Sequence, residues 1–453
     1  MEQLAGFDFA TLDFDSDGVH TNDTAAALQA HVAAHKTTDV ILIAHGFRND
    51  EGEARSLYEA FLKNFRAHLA RPELAAAIGQ RSYAVGGIFW PSKQFSEGPT
   101  KEGKDEGSVQ GIGDDRDPAQ ELRETRAQLE RLRDEDVRAE QRGTVDQALA
   151  MLDQLEGNPD LQDEFVALLL SLVDDADPDP TEGLAELKAK PGSELLDRLG
   201  APIILPTRQD DGDGGVLSVG DVGGGDGDGR PLFIGGLFKS VAGRVGQVLN
   251  MTTWYMMKNR SGTVGAVGVA PVVRALKGMA DAPRVHLVGH SLGGRCMTAC
   301  AKALCAAPIV RPDSLTLLEA AFSHYGLSAN NGKGTAGFFR DVIERQVVRG
   351  PFVSTHSYQD TVVGIAYAMS SRLSGDNVKA IGDKDDQFGG IGRNGTQRTA
   401  EATSMPLAQV GAPYAYTAAV VNNVDGSGGG IKDHSDVTNP RVTYAFAWAV
   451  AGT

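Results

Sequence analysis

Apolar residues in this chain fall into short dense runs separated by longer stretches of helical period. VILIA (40–44), SYAVGGIFW (82–90), RVHLVGH (284–290), SLTLLEAA (314–321), PFVSTHS (351–357) and YTAAVVNN (416–423) are runs bounded by turn formers. Such runs read as strands buried on both faces. Between them, EARSLYEAFLKNFRAHL (53–69), APVVRALKGM (270–279) and TVVGIAYAMSSRL (361–373) are helical patterns. Parallel neighbours need crossover connections, and these helices supply them. The pattern therefore predicts an α/β fold: a mostly parallel sheet flanked by helices.

One internal segment follows different rules. Residues 118–141 are good helix formers with interleaved charges, as a solvated helix requires. Thr144 and Gln147 fit a capping box ahead of Val145, Leu149, Leu152 and Leu155. Asn158-Pro159 reads as an N-cap followed by proline at the first helical position, opening a stripe of Leu161, Phe165, Leu168, Leu169 and Leu172. The Gly/Asp-rich 210–229 reads as a surface loop. Charge sharpens the division. Residues 92–240 hold 16 Lys+Arg against 34 Asp+Glu, a net of -18, while the rest of the chain nets +1. The expected organisation is a core of 1–91 and 241–453 carrying an acidic, mainly helical insertion at 92–240.

At 453 residues, with 41% hydrophobic and 23% charged positions, the chain is long enough for a sizeable core. Its net charge of -17 argues against nucleic acid as a partner, because phosphate contacts need a basic face. Cys296, Cys300 and Cys305 lie too close together for a secreted disulfide framework and read as reduced, buried thiols. The opening MEQLAGFDFATLDFD lacks the basic and apolar regions of a signal peptide, and no apolar stretch approaches the ~20 residues of a membrane span. The expectation is a cytoplasmic protein without a transmembrane segment.

The sharpest chemical motif is Gly289-His290-Ser291-Leu292-Gly293, where the strand VHLVG gives way to a helical pattern. A sharp turn between strand and helix projects its central hydroxyl, and small neighbours let the two elements approach. Ser291 is the candidate nucleophile. A serine needs a base, and the base an orienting carboxylate, later in the chain and acid first. Three histidines follow Ser291: His324, His356 and His434. His434 lies in a loop between the last strand and a helix opening at Asn439-Pro440, and is the candidate base. Asp360, just past PFVSTHS, is the candidate acid, with helix capping as its other reading; Glu319 is the reserve. Asp433 and Asp436 flank His434 too closely to reach its ring. An oxyanion needs preorganised donors. The N–H of Leu292 is one, and the turn His45-Gly46-Phe47 after VILIA presents that of Phe47.

In these motifs and their order, the chain resembles the α/β-hydrolase superfamily in its lipase/esterase-like branch. The resemblance covers about 40–91 and 241–450. It implies Ser291 as nucleophile, Asp360 as acid, His434 as base, and Phe47 and Leu292 as oxyanion donors, with no cofactor. It also implies a helical cap or lid; here the insertion precedes the elbow strand, whereas family caps commonly follow a later one. The activity expected is hydrolysis of a carboxylic ester, small or lipid-like, through an acyl-enzyme. An amide, peptide or thioester substrate, a phospholipase-type action at membranes, and a partner-binding role for the acidic insertion are the rivals. Gly46 and His290 are expected substrate contacts. Trp254 and Tyr255, in a stripe with Phe233, Leu237, Phe238, Met256 and Met257, read either as substrate contacts or as helix core.

Two other patterns are weaker. Asp13-Phe14-Asp15-Ser16-Asp17-Gly18 opens like a calcium loop, but Thr24 stands where the bidentate Glu is needed, so an acidic turn is expected. No His/Cys spacing suits zinc, so no metal is expected.

Overall fold

The computed structural model describes residues 1–47, 49–92, 117–174, 178–200, 203–205, 232–234, 240–374 and 382–453. The expected loop at 210–229, together with Leu237 and Phe238, lies outside them. Among the described residues there are eleven strands: β1 (Glu2–Leu4), β2 (Phe7–Asp13), β3 (Asp39–Ala44), β4 (Tyr83–Phe89), β5 (Ile203–Leu205), β6 (Leu232–Ile234), β7 (Arg284–His290), β8 (Ser314–Leu318), β9 (Phe352–His356), β10 (Ala402–Pro406) and β11 (Val421–Asp425). By its contacts the chain divides into two compact units. The first is Met1–Lys93, Arg260–Val363 and Gly390–Thr453; the second is Gln94–Asn259 and Gly364–Gly389.

Nine strands make the sheet of the first unit, in the order β1-β2-β4-β3-β7-β8-β9-β11-β10. Only the β1/β2 pairing is antiparallel. The middle strands are buried throughout and mostly apolar because helices cover both faces: every residue of β3 and of β8 is buried. On one face Phe9, Ile41, Ile43, Val85 and Val288 pack with Tyr58, Phe61 and Phe65 of helix Glu51–Leu69 and with Tyr444, Phe446 and Val450 of helix Pro440–Ala451. On the other, Leu12, Leu42 and Leu28 of helix Thr24–His35 close around Gly86, where a Cβ would lie 2.7 Å from Leu42.

Local sequence sets the helix starts. Asp50 and Glu53 form a capping box, so that helix begins two residues ahead of the pattern's edge at Glu53. Asn439 accepts from the amides of Arg441 and Val442, ahead of Pro440. The acidic turn is held by Asp15, whose Oδ1 accepts from the amides of Asp17 and Val19.

The second unit is mainly helical, with β5 and β6 paired antiparallel. Its core is drawn from Leu129, Val145, Phe165, Leu169, Leu196, Val245 and Leu249, with Ala368 and Leu373. Asn158 caps the helix Pro159–Ser171 as read from sequence. The expected capping box at Thr144 and Gln147 does not form: that helix begins at Arg142, directly after a 3₁₀ turn, and so needs no start at Thr144. The second unit also takes residues 241–259 and 364–389, which the sequence reading assigned to the core. The reason lies in polar contacts within the unit. Buried Glu182 accepts from the Lys258 ammonium and from Tyr367 Oη, and Tyr255 Oη lies 3.2 Å from Ser370 Oγ. Among the described residues no helix is long and apolar enough to cross a membrane.

Candidate functional site

The site lies at the carboxyl ends of β7, β9 and β11, all in the first unit. β7 ends at His290 and the helix Leu292–Leu304 follows at once, leaving Ser291 to make the whole turn. Its backbone takes φ 56°, ψ -123°. A non-glycine residue in that region is strained and persists only where its surroundings over-determine it. They do here: Ser291 N donates to Leu318 O, and Ala321 N donates to Ser291 O, both at 3.0 Å. The flanking glycines are required by contact. A Cβ at Gly289 would lie 2.2 Å from Gly293 O, and one at Gly293 would lie 2.3 Å from Ala44 O.

Ser291 Oγ lies 2.9 Å from His434 Nε2, and His434 Nδ1 lies 2.8 Å from Asp360 Oδ2. All three residues are buried; His434 keeps 9% of its surface exposed, Ser291 4% and Asp360 none. The two readings of Asp360 turn out to be compatible. Its Oδ1 accepts from Val363 N at 2.9 Å, capping the helix Thr361–Ser374, while Oδ2 serves the imidazole. The Arg393 guanidinium donates to the carbonyls of Tyr358 and Asp360 and so holds the acid's loop.

The other candidates are elsewhere. His324 Nδ1 lies beside the Asn394 carboxamide, and His356 beside Asp425. Asp433 and Asp436 accept from the amides of Ser435 and Lys432, within their own turn. The reserve acid Glu319 bonds Thr355 Oγ1 at 2.8 Å and not the imidazole; burial pushes its carboxyl well above the usual range.

The turn after β3 runs alongside the serine. A Cβ at Gly46 would lie 2.6 Å from Ser291 Cβ, so only glycine lets this backbone pass. His45 fixes the turn. Its amide donates to Tyr58 Oη at 2.8 Å, and its ring stacks on Trp90 with centroids 5.5 Å apart. Its Nδ1 lies 2.9 Å from Gly46 O, and burial lowers the ring's pKa to about 4. Leu292 is the first residue of its helix, so its N–H has no intrahelical acceptor.

Trp254 and Tyr255 take the helix-core reading, one of the two open to them, and His290 meets the loop of His434. His290 Nε2 lies 2.9 Å from the carbonyl oxygen of His434. Trp254 and Tyr255 pack in the core of the second unit, and Tyr255 Oη donates to Glu182 O at 2.7 Å. Sequence reading missed the supporting roles of Arg393, Tyr58 and Trp90. No local signal marks them, because each acts on a segment distant in the chain. Among the described residues, no group of three or more His, Cys, Asp or Glu is arranged to hold a metal ion.

The chain matches no known family model, no curated protein and no solved structure.

Proposed function

We propose that the protein is a serine hydrolase of α/β-hydrolase type acting on carboxylic esters. The observation that carries this reading is the hydrogen-bonded line Ser291–His434–Asp360 on a serine held at φ 56°. In this reading Ser291 Oγ attacks the acyl carbon while His434 Nε2 takes its proton. Asp360 keeps Nδ1 protonated and stabilises the imidazolium that forms. Negative charge gathers on the carbonyl oxygen, and in this reading the N–H groups of Leu292 and Phe47 receive it. His434 then returns the proton to the departing alcohol. Water, deprotonated by the same imidazole, attacks the acyl-enzyme and frees Ser291.

Amides and thioesters could pass through the same atoms, and turnover of matched ester, thioester and amide substrates separates them. A fluorophosphonate label tests the whole reading: peptide mapping should find the phosphonyl group on Ser291 and nowhere on Ser291→Ala. An unlabelled wild-type protein, or ester turnover undiminished in folded Ser291→Ala, would overturn it.

A further inference from the structure

The residue before the proposed nucleophile makes an unexpected bond. His290 was expected to touch substrate, yet its Nε2 faces the main-chain oxygen of His434 at 2.9 Å, 144 positions along the chain. A carbonyl only accepts, so Nε2 must carry the hydrogen. The bare Nδ1 is buried and has no hydrogen-bond partner. Desolvation lowers the ring's pKa to about 3, so the imidazole stays neutral in ordinary buffers. The two rings lie 4.8 Å apart between centroids, tilted by 42°.

The base sits on a loop anchored at its two ends, by Ser357 Oγ on Ile431 O at 3.1 Å and by Asn64 Nδ2 on Thr438 O at 2.7 Å, while the bonds beside the base itself are short-range. Lys432 N reaches Asp436, and Ser435 N reaches Asp433. These shape the turn without fixing its distance from the serine. The bond from His290 does fix it, because His290 is covalently joined to Ser291 and is itself registered against Leu318 in the sheet. We propose that His290 is a positioning residue, a neutral donor that tethers the backbone of the base directly to the elbow bearing the nucleophile. It rests on the hydrolase reading above. The imidazole of His434 is then located twice, by its ring through Asp360 and by its main chain through His290.

The tether predicts a particular kinetic pattern. His290→Phe keeps a ring and loses the donor, His290→Asn has an amide too short to reach the carbonyl, and His290→Gln places an amide nitrogen near the position of Nε2. With a small ester, Phe and Asn should lower kcat by about 10–100-fold with KM changed less than about threefold, as a misplaced base would. Gln should recover most of the loss. Labelling of Ser291 by a fluorophosphonate should slow in parallel with kcat. Folded Phe or Asn variants labelled at the wild-type rate would overturn the tether while leaving the hydrolase reading intact. So would a loss in KM alone, or a Gln variant no better than Asn. If Phe does not fold, the Asn–Gln pair carries the same test. A wild-type protein that takes no label at Ser291 would overturn the hydrolase reading itself and this one with it.

Discussion

The first unit contains two hydrogen-bonded sets of serine, histidine and aspartate. In one, Ser291 meets His434 and Asp360. In the other, Ser314 Oγ lies 2.8 Å from His286 Nδ1, and His286 Nε2 lies 2.9 Å from Asp39 Oδ1. The distances are nearly the same, and the settings are opposite. Ser314 opens β8 and Asp39 opens β3, at the amino ends of the strands, and all three residues of that set are fully buried. Ser314 has ordinary strand geometry, whereas Ser291 occupies a strained turn at a helix start. Asp39 is also engaged by Arg81 at 3.2 Å and by Thr38 Oγ1 at 2.6 Å. Along β7, His286 and Ser291 are five residues apart, roughly 16 Å at strand rise. Hydrogen-bond distances alone therefore do not make a nucleophile. What sets Ser291 apart is its setting: a strained bend at a helix start that projects the hydroxyl, next to a Leu292 amide with no intrahelical acceptor.

The sharpest way to break the comparison is to remove each hydroxyl. Ser291→Ala should lower esterase turnover by at least about 10³-fold with an unchanged urea midpoint. Ser314→Ala should leave kcat per folded molecule intact and cost about 1–3 kcal/mol of stability, because a buried imidazole nitrogen loses its partner. If Ser314→Ala abolished turnover in a well-folded protein, the two sets would have been assigned the wrong way round.

The acids should separate in the same manner. Asp360→Asn should reduce kcat by up to about 10⁴-fold, since a carboxamide favours the wrong imidazole tautomer. Asp39→Asn should instead destabilise by about 3–5 kcal/mol. Burial by itself would raise the Asp39 pKa, but bonds from His286 and Thr38 and the Arg81 charge bring it below 3.8. Its folded value is thus below its unfolded one, and its contribution is complete above the ordinary carboxylate range. The stability gap between wild type and Asp39→Asn should therefore persist down to roughly pH 4 and close only in stronger acid. Urea melts across pH measure it.

Gly46→Ala tests the presentation itself. The added methyl must displace Ser291 or the turn, so kcat should fall by about 10²-fold, with about 1–3 kcal/mol of stability lost to the crowding. Wild-type kinetics from a folded Gly46→Ala would mean that this turn does not border the reacting atoms.

The smallest effect concerns Glu319. Its folded pKa lies above its unfolded value, so its cost to the fold is absent below about pH 4 and grows as pH rises. Glu319→Gln should raise the melting temperature at pH 8 and not at pH 4. An equal shift at both values would show that the carboxyl does not titrate as described.

Much of this site was legible because its signals are local. A strand ending in small residues around a serine, an asparagine ahead of a proline, and a histidine between the last strand and the last helix each declare themselves within ten residues. The rest depends on contacts far apart in the chain. Nothing in RVHLVGH tells that its last imidazole will meet the carbonyl of His434, or that its first will meet Asp39. Strand ends were harder for the same reason. YTAAVVNN reads as one run, but the Asn422 carboxamide bonds the main chain of Thr417 and Val420, so the segment ahead of Val421 turns instead. β10 escaped notice because it lies at the edge of the sheet, and its exposed polar pattern resembles a loop.

One carboxylate divides its oxygens between a helix and an imidazole, and this joins two processes usually considered apart. Whenever the first turn of Thr361–Ser374 frays, the Val363 amide leaves Oδ1 and the whole side chain of Asp360 is loosened; whenever the imidazole is held more firmly, that turn is held as well. Fraying of the helix and the hold on the imidazole thus share one local equilibrium, and deuterium uptake at the Val363 amide would report on the orientation of a ring 71 positions further along the chain.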